Sequence, residues 1–158
     1  MAAKHRVRAW VRLLALTAAT EAPWRAVTVA RGRTFGLQIA TAGPVGVAEA
    51  RAALAELVAL RGEGLREPLP LPLGAAGVYA KVLGGSHDPA GALAEAAAEW
   101  DKGRERADDP YVRVWGPGAP AAAFTGAPDP AGGQPTRFGA LAVRLWEPLL
   151  RAEELVRR

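Results

Sequence analysis

The first periodic stretch constrains this chain more than any other feature. Lys4, Arg8 and Arg12 recur at i, i+4, i+8, while Val7, Trp10, Val11 and Leu14 fall on the opposing side. That spacing predicts an amphipathic helix over residues 4–19, with one cationic face and one core face, closed off before Pro23. An apolar stripe has to cover something, and this helix starts almost at Met1. The sheet beneath it is therefore expected to lie before Met1, which makes the chain the back portion of a larger basic assembly.

Charge is concentrated in the same place. The formal net charge is only +4, but residues 1–33 carry Lys4, Arg6, Arg8, Arg12, Arg25, Arg31 and Arg33 against the lone acid Glu21. A front-loaded positive field suits a polyanion partner. Cysteine is absent, which excludes disulfides and thiolate metal sites. No apolar run approaches the ~18–20 residues of a membrane span. Arg8 and Arg12 also interrupt the leading apolar stretch, unlike the core of a signal peptide. A soluble, cytoplasmic protein is expected, with no membrane partner.

Half the residues are hydrophobic, but many are alanines, so the larger aliphatics and five tryptophans must supply most of the burial. With 18 Gly and 13 Pro, much of the chain should be loop around one core, a single domain spanning residues 1–158. Residues 24–30 and 34–40 read as two strands joined at Arg31-Gly32-Arg33, a short hairpin with an arginine-rich tip. Val47, Leu54, Leu57, Val58 and Leu65 mark a helical stripe ending near Gly62 or Gly64. From Glu67 to Leu73 proline recurs at every second position, so that segment should run extended over the surface.

Helices are expected over 75–83 and 90–106, the latter placing Leu93 and Trp100 on one face, followed by a short strand at 111–115. A flexible Gly/Pro-rich loop should occupy about 116–133, with one turn near 120–124. Phe138, Leu141, Leu145, Trp146, Leu149 and Leu150 mark a last helix that ends in charge.

Catalytic chemistry finds little support. His5 and His87 lie in separate elements without further ligands at a usual metal or triad spacing. Gly74-Ala75-Ala76-Gly77 lacks the Lys-Ser/Thr of a phosphate-binding loop. Pro128-Asp129 matches the first half of a PD-(D/E)-x-K nuclease site, but no acid-x-lysine follows it. Glu99-Trp100-Asp101-Lys102 precedes it and has the wrong internal spacing. No catalytic, cofactor or metal residue is assigned. Lys4, Arg8, Arg12, Arg31 and Arg33 are the candidates for contact with DNA phosphates; the alternative is a solvated face or one that meets an acidic partner chain. Trp24, Trp100, Trp115 and Trp146 could stack on bases, yet each has apolar neighbours, and core packing is expected for all four.

Several strings carry a family resemblance in order along the chain. They are the segment from Ala2-Ala3-Lys4-His5-Arg6 to Leu16, Trp24-Arg25-Ala26-Val27, and Gly64-Leu65-Arg66-Glu67-Pro68-Leu69-Pro70-Leu71-Pro72. Asp108-Asp109-Pro110 with Val114-Trp115-Gly116 follows, then Arg137-Phe138-Gly139 through Trp146-Glu147-Pro148-Leu149-Leu150. Together they resemble the C-terminal end of RecC, the gamma subunit of exodeoxyribonuclease V, the RecBCD helicase–nuclease. The resemblance implies a helix-rich α+β domain with a short β-sheet, the back portion of a degenerate PD-(D/E)-x-K (restriction-endonuclease-like) fold. The first helix and strand 24–30 would be its later helix–strand pair. It further implies a noncatalytic element of double-strand-break repair and homologous recombination. RecB-like and RecD-like subunits and DNA would be the partners, with ATP and Mg²⁺ bound by those subunits and none by this chain. The Chi-reading segments of RecC have no counterpart here, so no residue inherits that role.

Overall fold

A computed structural model describes residues 1–31, 36–131 and 133–157. The described residues fall into two compact units, Met1–Glu63 with Pro148–Arg158, and Gly64–Glu147.

The first unit opens with helix α1 (Ala3–Thr20), followed by strands β1 (Ala26–Arg31) and β2 (Leu37–Ala42) and helix α2 (Val47–Gly64). The chain's end adds β3 (Glu153–Arg157), giving a three-stranded antiparallel sheet of order β1-β2-β3. In its register Val29 faces Ile39, which in turn faces Val156.

Helix α1 packs on β1 and β2 and buries Trp10, Leu13, Leu14 and Thr17. This corrects two expectations. The core face of α1 is covered by strands of this chain, not by a sheet preceding Met1, because the hairpin that follows the helix folds back beneath it. The buried positions also follow i, i+3, i+4, i+7 from Trp10, which turns Val11 outward instead of into the stripe.

Two close contacts fix the unit. Gly43 has φ +91°, and a Cβ there would stand 2.8 Å from the Trp24 carbonyl oxygen and 3.1 Å from a Leu13 methyl. Only glycine fits both that conformation and that approach. Across the sheet, Arg6 grips the carboxylate of Glu153 with two bonds, one of them Nε to Oε1 at 2.9 Å, and so ties α1 to β3.

Helix α2 departs from its expected stripe. Ala50 and Leu60 are buried, whereas Val58 is 69% exposed and Leu65 is exposed as well. The inward face runs through Ala50, Leu54, Leu57 and Leu60, and Val58 lies about 100° away from Leu57, on the solvent side.

The second unit is helical: α3 (Leu73–Ser86), α4 (Pro89–Asp101), α5 (Asp109–Trp115), α6 (Ala122–Thr125) and the start of α7 (Arg137–Ala152). Helices α3 and α4 pack together and bury Ala75, Ala76, Ala80, Ala92 and Ala96. The turn between them places His87 in the left-handed region, and Asp88 caps α4 by accepting the Ala90 N–H at 3.0 Å.

Trp100, 1% exposed, sits under a cluster of rings. It meets Tyr111, Trp115 and Phe124 edge-on at 5.7, 5.8 and 5.0 Å, and its Nε1 donates to the Ala119 carbonyl at 2.8 Å. Phe138 extends the cluster to Phe124 and Tyr79.

Four expectations change here. Residues 111–115 are helical, not extended, because Asp108 at the N-cap and Pro110 in the first turn start a helix despite the β-branched valines. The fourth predicted helix stops at Asp101, and the turns after it send Glu105 back to the start of α3. There its carboxylate accepts the N–H groups of Gly74 (2.9 and 3.0 Å) and Ala75 (3.2 Å). The proline-rich segment 67–72 forms neither helix nor strand, but it is not wholly superficial, since Pro72 is fully buried at the head of α3. Finally, α7 does not end the chain, because β3 follows it and pairs with β2. The Gly/Pro-rich loop is anchored by buried Phe124 and Ala119.

Candidate nucleic-acid interface

Lys4, Arg8, Arg12, Leu16 and Thr20 recur in steps of four along α1 and are all exposed, forming a ridge that winds about 40° around the axis at each step. Successive members are about 6 Å apart along the axis. Lys4, Arg8 and Arg12 are exposed, and none of the ion pairs among the described residues engages them. Arg6 points elsewhere, onto Glu153.

Arg31, the last residue of β1, joins the same end of the helix. The Met1 amino group donates to Gln38 Oε1 at 2.6 Å, and Gln38 pairs with Ala30, next to Arg31. The start of α1 and the end of β1 therefore lie together, but strand alternation puts Arg31 with exposed Val27 and Val29 on the sheet face turned away from α1. Arg33 lies outside the described residues.

The acids near this surface are already engaged. Glu21 is held by Arg51 Nη2 at 2.8 Å, and Glu153 is held by Arg6. The row consequently keeps a positive field that a phosphate chain could follow, each contact releasing bound counterions.

At the other end of the row stands Trp24. Core packing was expected for it; instead it is 43% exposed. Its Nε1 donates to Thr20 Oγ1 at 2.7 Å, and that hydroxyl donates to the Leu16 carbonyl at 2.8 Å. Trp24 lies outside the paired strand, which begins at Ala26, so no cross-strand neighbour covers it. Spacing carried no signal for this, because α1 ends at Thr20 and Trp24 lies in the link before β1. Trp100 and Trp146 are buried, as expected, whereas Trp115 is only half-buried.

The other candidate chemistry stays dispersed. His5, His87 and Asp109 are exposed on separate elements. Asp129 accepts the N–H groups of Ala131, Gly133 and Gln134 at 3.0, 2.9 and 2.9 Å, and these bonds hold its carboxyl below the usual range. Among the described residues, no three His, Asp or Glu side chains converge to hold a metal ion, and no helix is long and apolar enough to cross a membrane.

What these features define first is a helix-rich α+β domain with a small antiparallel sheet and a basic helix face turned outward. Comparison with known proteins then places it: the profile of the RecC C-terminal domain matches residues 1–84, and the chain belongs to that family. Over 97% of its length it is 38% identical to the RecBCD enzyme subunit RecC of Mycobacterium tuberculosis strain H37Rv. Over 98% it is 36% identical to the subunit of the same name from Mycolicibacterium smegmatis. The chain spans 14% of the length of these relatives. No solved structure matches it.

Proposed function

We propose that this chain is the noncatalytic C-terminal element of a RecC-like subunit in a cytoplasmic exodeoxyribonuclease V assembly, acting in double-strand-break repair and homologous recombination. It scaffolds RecB-like and RecD-like subunits, which carry the ATP- and Mg²⁺-dependent chemistry. It touches DNA through Lys4, Arg8, Arg12 and Arg31, with Arg33 beside them in sequence. In this reading α1 and β1 correspond to the later helix–strand pair of a degenerate PD-(D/E)-x-K fold.

The supporting observation is the exposed cation row of α1, which falls inside the segment matched by the family profile. The test is DNA binding at low salt by the chain and by a variant with Lys4, Arg8 and Arg12 all changed to Ala. A loss of about tenfold or more is expected with the helical content retained. Unchanged affinity would remove the DNA role from this face.

A second reading, a protein-interaction module without DNA contact, is favoured by one feature. The sheet face carrying Val27 (62% exposed), Val29 (59%), Leu37 and Val156 is open and apolar. Capture of RecB-like or RecD-like subunits by a chain that binds no DNA would select it.

A further inference from the structure

Resting on the DNA-contacting reading of α1, we infer that this face takes single-stranded nucleic acid, with one base stacked on Trp24 where the cation row ends. The row supplies phosphate contacts over its first three members and then turns apolar at Leu16. It finishes at an indole that stands open to solvent. That order, charges followed by an accessible π-face, is the arrangement that binds unpaired strands with little regard to sequence.

The indole is prepared for this use. Its only polar atom is already satisfied by Thr20, and Thr20 is itself tied to Leu16, so the ring is held at the C-terminal end of α1, about 80° around the axis from Arg12. Covering the ring with a base therefore removes apolar surface from water without breaking a hydrogen bond. Arg25, the next residue in sequence, is exposed as well. Glu21, the single acid among residues 1–33, is held by Arg51.

A duplex keeps its bases stacked on one another and offers no such face, so only the cation row can engage it. Trp24 should thus distinguish the two forms of DNA, whereas Arg8 and Arg12 should not.

The experiment uses the whole chain and fluorescence anisotropy with an oligothymidine of about 16 nucleotides and a duplex of equal length. Trp24→Ala is expected to weaken oligothymidine binding about five- to thirtyfold and to leave duplex binding within about twofold. Trp24→Phe keeps a ring and should retain most of the single-strand affinity, which guards against a merely misfolded Ala variant. Oligothymidine should quench tryptophan emission in the wild type and much less in Trp24→Phe.

Equal single-strand affinity for wild type and Trp24→Ala, equal losses on both DNA forms, or quenching that survives in Trp24→Phe would overturn the stacking role. If R8A/R12A still weakens binding in any of those cases, the DNA-contacting reading stands alone. Wild-type chain that binds neither polymer would remove both.

Discussion

Trp24 and Trp100 show how differently the two units use the same side chain. In the second unit, Trp100 is enclosed by three rings and bonded to a backbone carbonyl. In the first, Trp24 lies open with its N–H on a neighbouring hydroxyl. The packed helices of the second unit bury mainly alanine, so a small number of aromatic side chains must fill the remaining space. The first unit has a thin three-stranded sheet with α1 on one face, and Val27, Val29, Leu37 and Val156 of the sheet stay exposed. Apolar neighbours in sequence do not decide burial; the element that arrives on top does.

The largest effect expected from this contrast is at Trp100. Changing it to Ala should cost about 3–5 kcal/mol in denaturant unfolding, by cavity formation and by loss of the bond to Ala119. Trp24→Ala should stay within about 1 kcal/mol. Similar losses at the two sites would break the comparison.

Within the first unit, the sheet depends on a charge contact in place of a ring cluster. Arg6→Ala leaves the Glu153 carboxylate, 5% exposed, without its guanidinium, at an expected cost of about 2–3 kcal/mol. An unfolding midpoint equal to wild type would show that the α1–β3 link is dispensable.

The close packing of the second unit is tested by adding one methyl group. At Gly139 a Cβ would sit 2.6 Å from the Tyr79 hydroxyl oxygen, which donates to Gln134 Oε1 at 2.7 Å. Gly139→Ala should cost about 1–3 kcal/mol. Retained stability would mean that the ring cluster can yield.

The smallest effect is in pH dependence. Burial raises the Glu105 carboxyl above its ordinary 4.5, although the Gly74 and Ala75 N–H groups oppose the shift. The folded state therefore holds this proton more tightly than the unfolded state. The stability linked to it is fully present below pH 4.5 and is lost as pH rises through the folded value. Measured against Glu105→Gln, the wild type should lose relative stability on going from pH 4 to pH 7. A pH-independent difference would show that the carboxyl is not held in this way.

Periodicity carried much of this architecture. The cationic residues of α1, the hairpin and the presence of the five long helices follow from spacing and turn residues that are readable without coordinates. The elements that escaped depend on distant partners. β3 is a five-residue, charge-rich edge segment that exists only because β2 receives it. The 111–115 segment has strand-like composition but helix-starting residues ahead of it. At the candidate interface, Lys4, Arg8 and Arg12 were legible as a row. The placement of Arg31 on the open sheet face required the strand register, and the exposure of Trp24 required knowing where strand pairing begins.

Whether the cations of α1 meet phosphates is read from the salt dependence of binding. With oligothymidine, log K should fall linearly with log salt, and R8A/R12A should flatten that slope by about 1.4, the share of two phosphate contacts. Superimposable slopes for wild type and variant would contradict it.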